Sequence, residues 1–276
     1  YYHTATLLPN GKVLVAGGYG GEAVGALNTS SLYTPAQGND PGSWTVVNDL
    51  NMGARYYHTA TLLPNGKVLV AGGYGGEAVG ALNTSSLYTP AQGNDPGSWT
   101  VVNDLNMGAR YYHTATLLPN GKVLVAGGRG GATLNTSSLY DQKNDEWTAV
   151  ANLDGDDMGA RYNHTATLLP NGKVLVAGGR FGADGAAINT NSLYDPSTNE
   201  WTPVTKQDGM GGRYNHTATL LPNGKVLVAG GRNFDDGALN TSSLYDFLTD
   251  KWTAVTNQNM GARYNHTATL LPNGKV

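Results

Sequence analysis

Apolar and polar positions recur along this chain with a long period of about 50 residues, the mark of a stacked or radial array. One unit shows the pattern. Thr165 to Leu169 is a short β-type run ended by Pro170, Asn171 and Gly172. Asn-Gly between two apolar runs predicts a hairpin, because both residues tolerate positive φ. Lys173 to Ala177 follows as a near-continuous apolar strand, the kind buried on both faces. Gly178 and Gly179 end it and permit a turn or bulge with close backbone approach. After a loop from Arg180 to Ile188, Thr190 to Tyr194 predicts a third strand. Asp195 to Asn199 reads as a turn, rich in residues that bond their own backbone or preset φ. Trp201 to Val204 is a short fourth strand whose Pro203 suits a sheet edge. A loop through Met210 and Gly211 leads to Arg213 and the next copy.

The block Tyr1–Arg55 is repeated residue for residue as Tyr56–Arg110. Looser copies cover 111–161, 162–213 and 214–263, and a sixth begins at Tyr264 and stops at Val276. Four short strands per unit predict an all-β propeller of four-stranded antiparallel blades. The connections are too short for βα crossovers, and no stretch has helical periodicity. A parallel β-helix is the rival array, but its coils are about half this length. Single units cannot bury a core without neighbours, so residues 1–276 read as one domain. Tyr1 already sits inside a repeat, and the expectation is a piece of a longer protein.

Composition narrows the chemistry. Glycine is abundant and charge sparse, with a net charge of -3 over 276 residues. That balance gives no electrostatic footprint for nucleic acid, and no Lys/Arg cluster points to an anionic membrane surface. The longest apolar runs are far too short to span a bilayer as a helix. With no cysteine in the chain, disulfides, thiolate metal sites and cysteine nucleophiles are excluded.

The run Arg-x-x-His-Thr-Ala-Thr, then Gly-Gly, then Leu-Tyr, then Trp resembles the kelch repeat, in particular its bacterial variety. The glycine pairs are Gly17-Gly18, Gly72-Gly73, Gly127-Gly128, Gly178-Gly179 and Gly230-Gly231. Tyr33, Tyr88, Tyr140, Tyr194 and Tyr245 stand in register, as do Trp44, Trp99, Trp147, Trp201 and Trp252. The resemblance implies a ring of blades with the Thr-Ala-Thr strand innermost and the Trp strand outermost. Kelch rings usually have six or seven blades, whereas this chain encodes five complete repeats plus an extra C-terminal inner strand. A ring closed or nearly closed mainly by this chain is the expectation. A more distant similarity is to the propeller of galactose oxidase, whose cofactor needs a Tyr crosslinked to Cys.

Six histidines align: His3, His58, His113, His164, His216 and His266. Such a ring could hold a metal. Their presence in every copy instead favours a packing role, each bonding a backbone group between blades, and no metal or other cofactor is expected. Arg55, Arg110, Arg161, Arg213 and Arg263 are equally periodic, and a guanidinium can join several carbonyls of adjacent blades. The acidic loops Asp154 to Asp157 and Asp235 to Gly237 carry calcium-type oxygens but lack a following bidentate Glu. Asn28, Asn83, Asn135, Asn240, Asn163, Asn215 and Asn265 begin Asn-x-Ser/Thr sequons, most at strand starts where Asn suits a turn.

Positions that vary on this frame are the candidates for recognition, since loops on a rigid scaffold carry function. They are Tyr19, Tyr74, Arg129, Arg180, Phe181, Arg232 and Phe234, on the loops after the glycine pairs. The reading is a non-catalytic scaffold that binds a protein or glycan through one propeller face, at the cell surface or outside the cell. A catalytic site breaks repeat symmetry, and this chain barely breaks it, so no catalytic residue is assigned. The alternatives are a structural surface, matrix or filament component that self-associates, an engineered propeller, or a carbohydrate-active enzyme domain.

Overall fold

A computed structural model describes residues 1–36, 38, 41–47, 50–91, 93, 95–102, 106–150, 158–204, 209–256 and 259–276. The architecture is all-β, built of the four-stranded antiparallel blades expected of a propeller. The first sheet is β1 (Thr4–Leu7), β2 (Val13–Ala16), β3 (Ser30–Thr34) and β4 (Ser43–Val47) in spatial order. The second is β5 (Thr59–Leu62), β6 (Val68–Ala71), β7 (Ser85–Thr89) and β8 (Ser98–Val102). The third is β9 (Thr114–Leu117), β10 (Val123–Ala126), β11 (Ser137–Asp141) and β12 (Glu146–Ala149). In the fourth, β13 (Thr165–Leu168) and β14 (Val174–Ala177) precede a small hairpin, β15 (Arg180–Phe181) with β16 (Ala186–Ala187). The sheet then continues with β17 (Asn191–Asp195) and β18 (Glu200–Pro203). The fifth repeats that plan: β19 (Thr217–Leu220), β20 (Val226–Ala229), the hairpin β21 (Arg232–Asn233) with β22 (Gly237–Ala238), then β23 (Ser242–Asp246) and β24 (Lys251–Ala254).

The chain divides into two compact units. One holds residues 1–125, 129–131 and 137–149, and so the sheets of the first three repeats apart from Ala126. The other holds residues 126–128, 132–136 and 150–276, with the sheets of the fourth and fifth. Within the first unit β1 lies beside β5 and β5 beside β9; within the second β13 lies beside β19.

The hairpin of each blade forms where the sequence predicts it, but with a different turn. Leu169 N–H donates to Lys173 O at 2.8 Å and Gly172 N–H to Leu169 O at 2.9 Å. Only Gly172 is left-handed, at φ 82°; Asn171 is not. Pro170 is the cause. Its ring holds φ near -65°, which suits the first central position of a type I turn, and without an N–H it cannot close a two-residue Asn-Gly hairpin as the flanking residue. The result is a three-residue loop with glycine in the left-handed bulge position. Asn171 Oδ1 accepts the Lys173 N–H at 3.1 Å and so caps it.

The core lies between neighbouring sheets of a unit. Leu14, Leu32, Val47 and Met52 of the first repeat pack with Val68, Val70, Tyr88 and Trp99 of the second. The same positions join the second repeat to the third and the fourth to the fifth. Each sheet thus presents apolar side chains on both faces, as the Val-Leu-Val-Ala strands with every residue buried show in β6, β10 and β14. The indole Nε1 of Trp99 donates to Ser30 Oγ at 2.9 Å, and that of Trp147 to Ser85 Oγ at 3.0 Å. In the fourth repeat Asn191 takes the serine's place and turns its amide to Gly178 N–H and Asn189 O. Trp252 Nε1 is accordingly buried with no hydrogen-bond partner.

The arginines seal the same seams. Arg161 Nη1 donates to Gly178 O at 3.0 Å and Thr190 O at 2.7 Å, and Nη2 to Met158 O at 2.6 Å and Thr190 Oγ1 at 3.1 Å. Arg55 and Arg213 repeat that pattern two copies back and one copy on. Among the described residues their partners are carbonyl and hydroxyl oxygens. The glycine pair receives the same segment: Gly179 N–H donates to Arg213 O at 2.8 Å. A Cβ on Gly178 would stand 2.6 Å from that oxygen, and φ is 58° and 112° along the pair. The pair is therefore needed for both conformation and contact.

The sixth copy differs from expectation. Residues 264–276 keep the turn, with Leu271 N–H on Lys275 O at 2.7 Å, but Thr267–Leu270 is not a strand. A β-strand needs a ladder partner, and the Val-Leu-Val-Ala run that pairs with it in every other copy is represented here by Val276 alone.

Two substitutions test the seams. Arg213→Lys loses the fork that reaches two blades, leaves buried carbonyls unmet, and is expected to cost about 3 kcal/mol or more. Ser85→Ala strips the Trp147 indole of its acceptor and is expected to cost about 1–3 kcal/mol. Urea midpoints followed by tryptophan fluorescence check both; wild-type midpoints would refute them.

Candidate functional site

Nε2 of His58 lies 3.0 Å from Thr4 Oγ1, and Nε2 of His113 lies 3.0 Å from Thr59 Oγ1. His216 and His266 make the same contact with Thr165 and Thr217, at 2.9 and 3.1 Å. These histidines join one innermost strand to the next. Burial, with the nearby Arg55, Arg110 and Arg213 guanidinium groups adding to it, pushes His58, His113 and His216 down to about 3. They are neutral at physiological pH. Among the described residues, no three His, Cys, Asp or Glu side chains group closely enough to hold a metal ion. Asp154 to Asp157 lies outside the described residues.

The position after each Arg-Tyr step, and Tyr2 in the first copy, is left-handed throughout. Tyr2, Tyr57 and Tyr112 have φ of 60°, 56° and 56°; Asn163, Asn215 and Asn265 have 54°, 52° and 53°. Asparagine suits this region, whereas a bulky ring is disfavoured there. The tyrosines hold it through mutual packing: ring centroids lie 4.2 Å apart for Tyr2 and Tyr57 and 4.1 Å for Tyr57 and Tyr112. Burial and hydrogen bonds to Tyr112 and Tyr2 raise the Tyr57 phenol far above its ordinary range. This aromatic column belongs to the first unit.

Tyr19 and Tyr74 extend it. Tyr19 lies 5.2 Å from Tyr56, and Tyr74 lies 5.5 Å from Tyr56 and 5.0 Å from Tyr111. Tyr74 also bridges Tyr56 through the backbone, and Arg129 bridges Tyr111 in the same way. In the second unit arginine replaces the tyrosine. The Arg180 guanidinium stands 4.6 Å from the Tyr214 ring and 5.4 Å from Tyr162, and its Nε donates to Gly185 O at 2.9 Å. Arg232 stands 5.4 Å from the Tyr264 ring. Tyr19, Tyr74, Arg180 and Arg232 thus link their loops to the next repeat, with part of each side chain turned into packing. Phe181 and Phe234 are different: they sit on the small hairpins, 53% and 77% exposed.

A cavity of about 530 Å³ opens between those two hairpins within the second unit. Asp184, Ala186, Ala187 and Asn189 line it from the fourth repeat, Asn233, Phe234 and Asp235 from the fifth, with Gly212 between them. Of the seven sequence candidates, Phe234 alone reaches it. Asp184, Asn189, Asn233 and Gly212 were missed. Gly212 carried a readable signal: the other complete copies have Ala54, Ala109, Ala160 and Ala262 there. A Cβ at 212 would stand 3.0 Å from Ala187 O, so glycine lets the β16 backbone close in. Asp235 was noted within a calcium-like loop. Its neighbour Asp236 instead folds the turn, accepting Asn233 Nδ2–H at 2.7 Å and donating its N–H to Asn233 Oδ1 at 2.6 Å.

Comparison with known proteins agrees with this geometry. The KLHDC2/KLHL20/DRC7 Kelch-repeats domain matches residues 163–276. These are kelch repeats. Their blades are those of a kelch-type β-propeller. The rat (Rattus norvegicus) tRNA wybutosine-synthesizing protein 4 is 28% identical over 252 residues, 84% of this chain and 36% of that protein. Rat Kelch-like protein 36 is 27% identical over 158 residues, 55% of this chain and 24% of its own length. Human (Homo sapiens) Kelch domain-containing protein 1 is 29% identical over 140 residues, 50% of this chain and 34% of its own. The kelch chain therefore aligns with only a quarter to about a third of these relatives.

The buried histidines set an acid limit on the kelch frame. Their folded pKa lies below the ordinary value of about 6.5, so the unfolded chain binds more protons on acidification. Stability is then complete above that value and falls toward pH 3, by up to about 1.4 kcal/mol per pH unit for each such histidine. Urea midpoints at neutral pH and at pH 4.5 check this; equal midpoints would contradict it.

Proposed function

We propose that this chain is a non-catalytic interaction scaffold that binds a protein partner through the loops after the glycine pairs. The cavity between the fourth- and fifth-repeat hairpins carries this reading. It lies where the copies differ, and invariant seams with variable loops are the arrangement of a recognition scaffold. Kinship with kelch proteins supports a protein partner. The absence of catalysis is supported by the use of the histidines and arginines in packing. The cysteine that a galactose-oxidase-type cofactor needs is missing from the chain. One relative is named for tRNA wybutosine synthesis, but it shares only the region aligned with 36% of its length. A glycan is the second reading, favoured by the exposed Phe181 and Phe234 rings beside carboxylates and amides.

The test places a photo-crosslinking phenylalanine at Phe181 or Phe234, with Leu248 as an exposed control on the turn between β23 and β24. Crosslinked protein adducts at the first two sites and none at Leu248 are expected. Adducts independent of position, or none at the hairpins, would overturn the proposal.

A further inference from the structure

We infer that the hairpin cavity receives a basic side chain, arginine in preference to lysine, from that protein partner. The inference rests on the scaffold reading and adds the chemistry of what is recognised. Two aspartates line the cavity from different repeats, Asp184 from the β15–β16 turn and Asp235 from the β21–β22 turn. No lysine or arginine is among the lining residues. The nearby Arg180 is committed elsewhere, its Nε on Gly185 O at 2.9 Å and its guanidinium over Tyr214 at 4.6 Å. With two carboxylates and no cation among its lining residues, the mouth is acidic on balance, while the Arg180 guanidinium faces the Tyr214 ring.

The rest of the lining fits the same occupant. Phe234, 77% exposed, offers a ring face on which a planar guanidinium stacks. Ala186, Ala187 and Gly212 form a small-residue wall against which an aliphatic stem can lie. Two carboxylates at a distance suit the forked donors of arginine better than the point charge of lysine. An anionic ligand would meet repulsion, and a neutral saccharide would leave the field unused.

The whole arrangement is confined to one place in the chain. The small hairpins of repeats four and five are absent as paired strands from repeats one to three, where only isolated bridges occur in those loops. Glycine replaces alanine at position 212 alone among the complete copies.

The experiment selects binders from a phage-displayed random dodecapeptide library on the immobilised chain, then repeats the selection on Asp184→Asn/Asp235→Asn. Both aspartates are exposed, so the variant should fold as the wild type. Enriched peptides are expected to share one basic position, filled by arginine more often than by lysine. Replacing it with neutral citrulline should weaken binding at least about tenfold, the scale of charge-assisted hydrogen bonds, and the double variant should weaken the parent peptide equally. Failure to enrich peptides, an acidic or apolar consensus, or binding indifferent to the double substitution would overturn the inference. Neutral glycans on an array bound by wild type and double variant alike, and lost in Phe234→Ala, would overturn it in favour of a saccharide site. Crosslinking at Phe234 that survives the double substitution separates the two levels: the scaffold would stand and the basic occupant would fall.

Discussion

A buried guanidinium at the seam between neighbouring blades is the constraint on which the rest depends. Arg213 is 2% exposed and is bonded to carbonyl and hydroxyl oxygens on both sides of its seam. A charge removed from water must be met by well-placed acceptors or it is costly. Here the acceptors belong to the loop before the arginine and to the glycine pair and third-strand start of the next sheet. The charge therefore specifies how one sheet meets the following one. Burial pushes Arg55, Arg110 and Arg161 down only to about 10, so they remain cations at neutral pH. The glycine pair is fixed from its other side, because a Cβ on Gly178 would stand 2.6 Å from Arg213 O and one on Gly179 2.9 Å from Tyr162 O.

Once that seam is repeated, most of the reactive-looking residues are used up. The histidines bridge to threonines, the tryptophans to serines, and the tyrosine hydroxyls of the third strands to their own turns, as Tyr140 does to Asp145 at 2.7 Å. Specificity is left to the departures from the repeat. Two kinds occur. The first unit sets tyrosine in left-handed slots and compensates by stacking the rings, with Tyr19 and Tyr74 beside them. The second unit sets asparagine in the same slots, layers arginine over tyrosine, and opens a cavity between two hairpins. The same frame thus carries an aromatic surface in one unit and an acidic, phenylalanine-flanked recess in the other.

Most of the blade was legible in the order of residues, because a strand's burial pattern and a turn's φ demands are local. The strands, their antiparallel order, the edge placement of Trp201 to Pro203 and the bridging use of His and Arg all follow from it. The site was legible only in part. Phe234 and the acidic loop beside it stood out, but Asp184 and Asn189 reach the same recess from another repeat, and nothing in their local sequence says so. The left-handed tyrosines were equally hidden, since propensity argues against them and ring contacts with other repeats hold them there.

Residues 1–55 and 56–110 separate the two contributions, because they are the same sequence. Both form the same four strands with the same Tyr–Trp pairing, Tyr33 with Trp44 and Tyr88 with Trp99. Local pattern determined that much. Yet Trp44 is 61% exposed and Trp99 is 1% exposed. Val-Leu-Val-Ala alternates between half-buried and buried in β2 and is buried throughout in β6. Trp99 has the Ser30 face of the preceding sheet to lie against. Strand and turn are decided by near neighbours along the chain. Burial, and with it the energy that a side chain contributes, is decided by what packs across the seam, and that only the tertiary structure supplies.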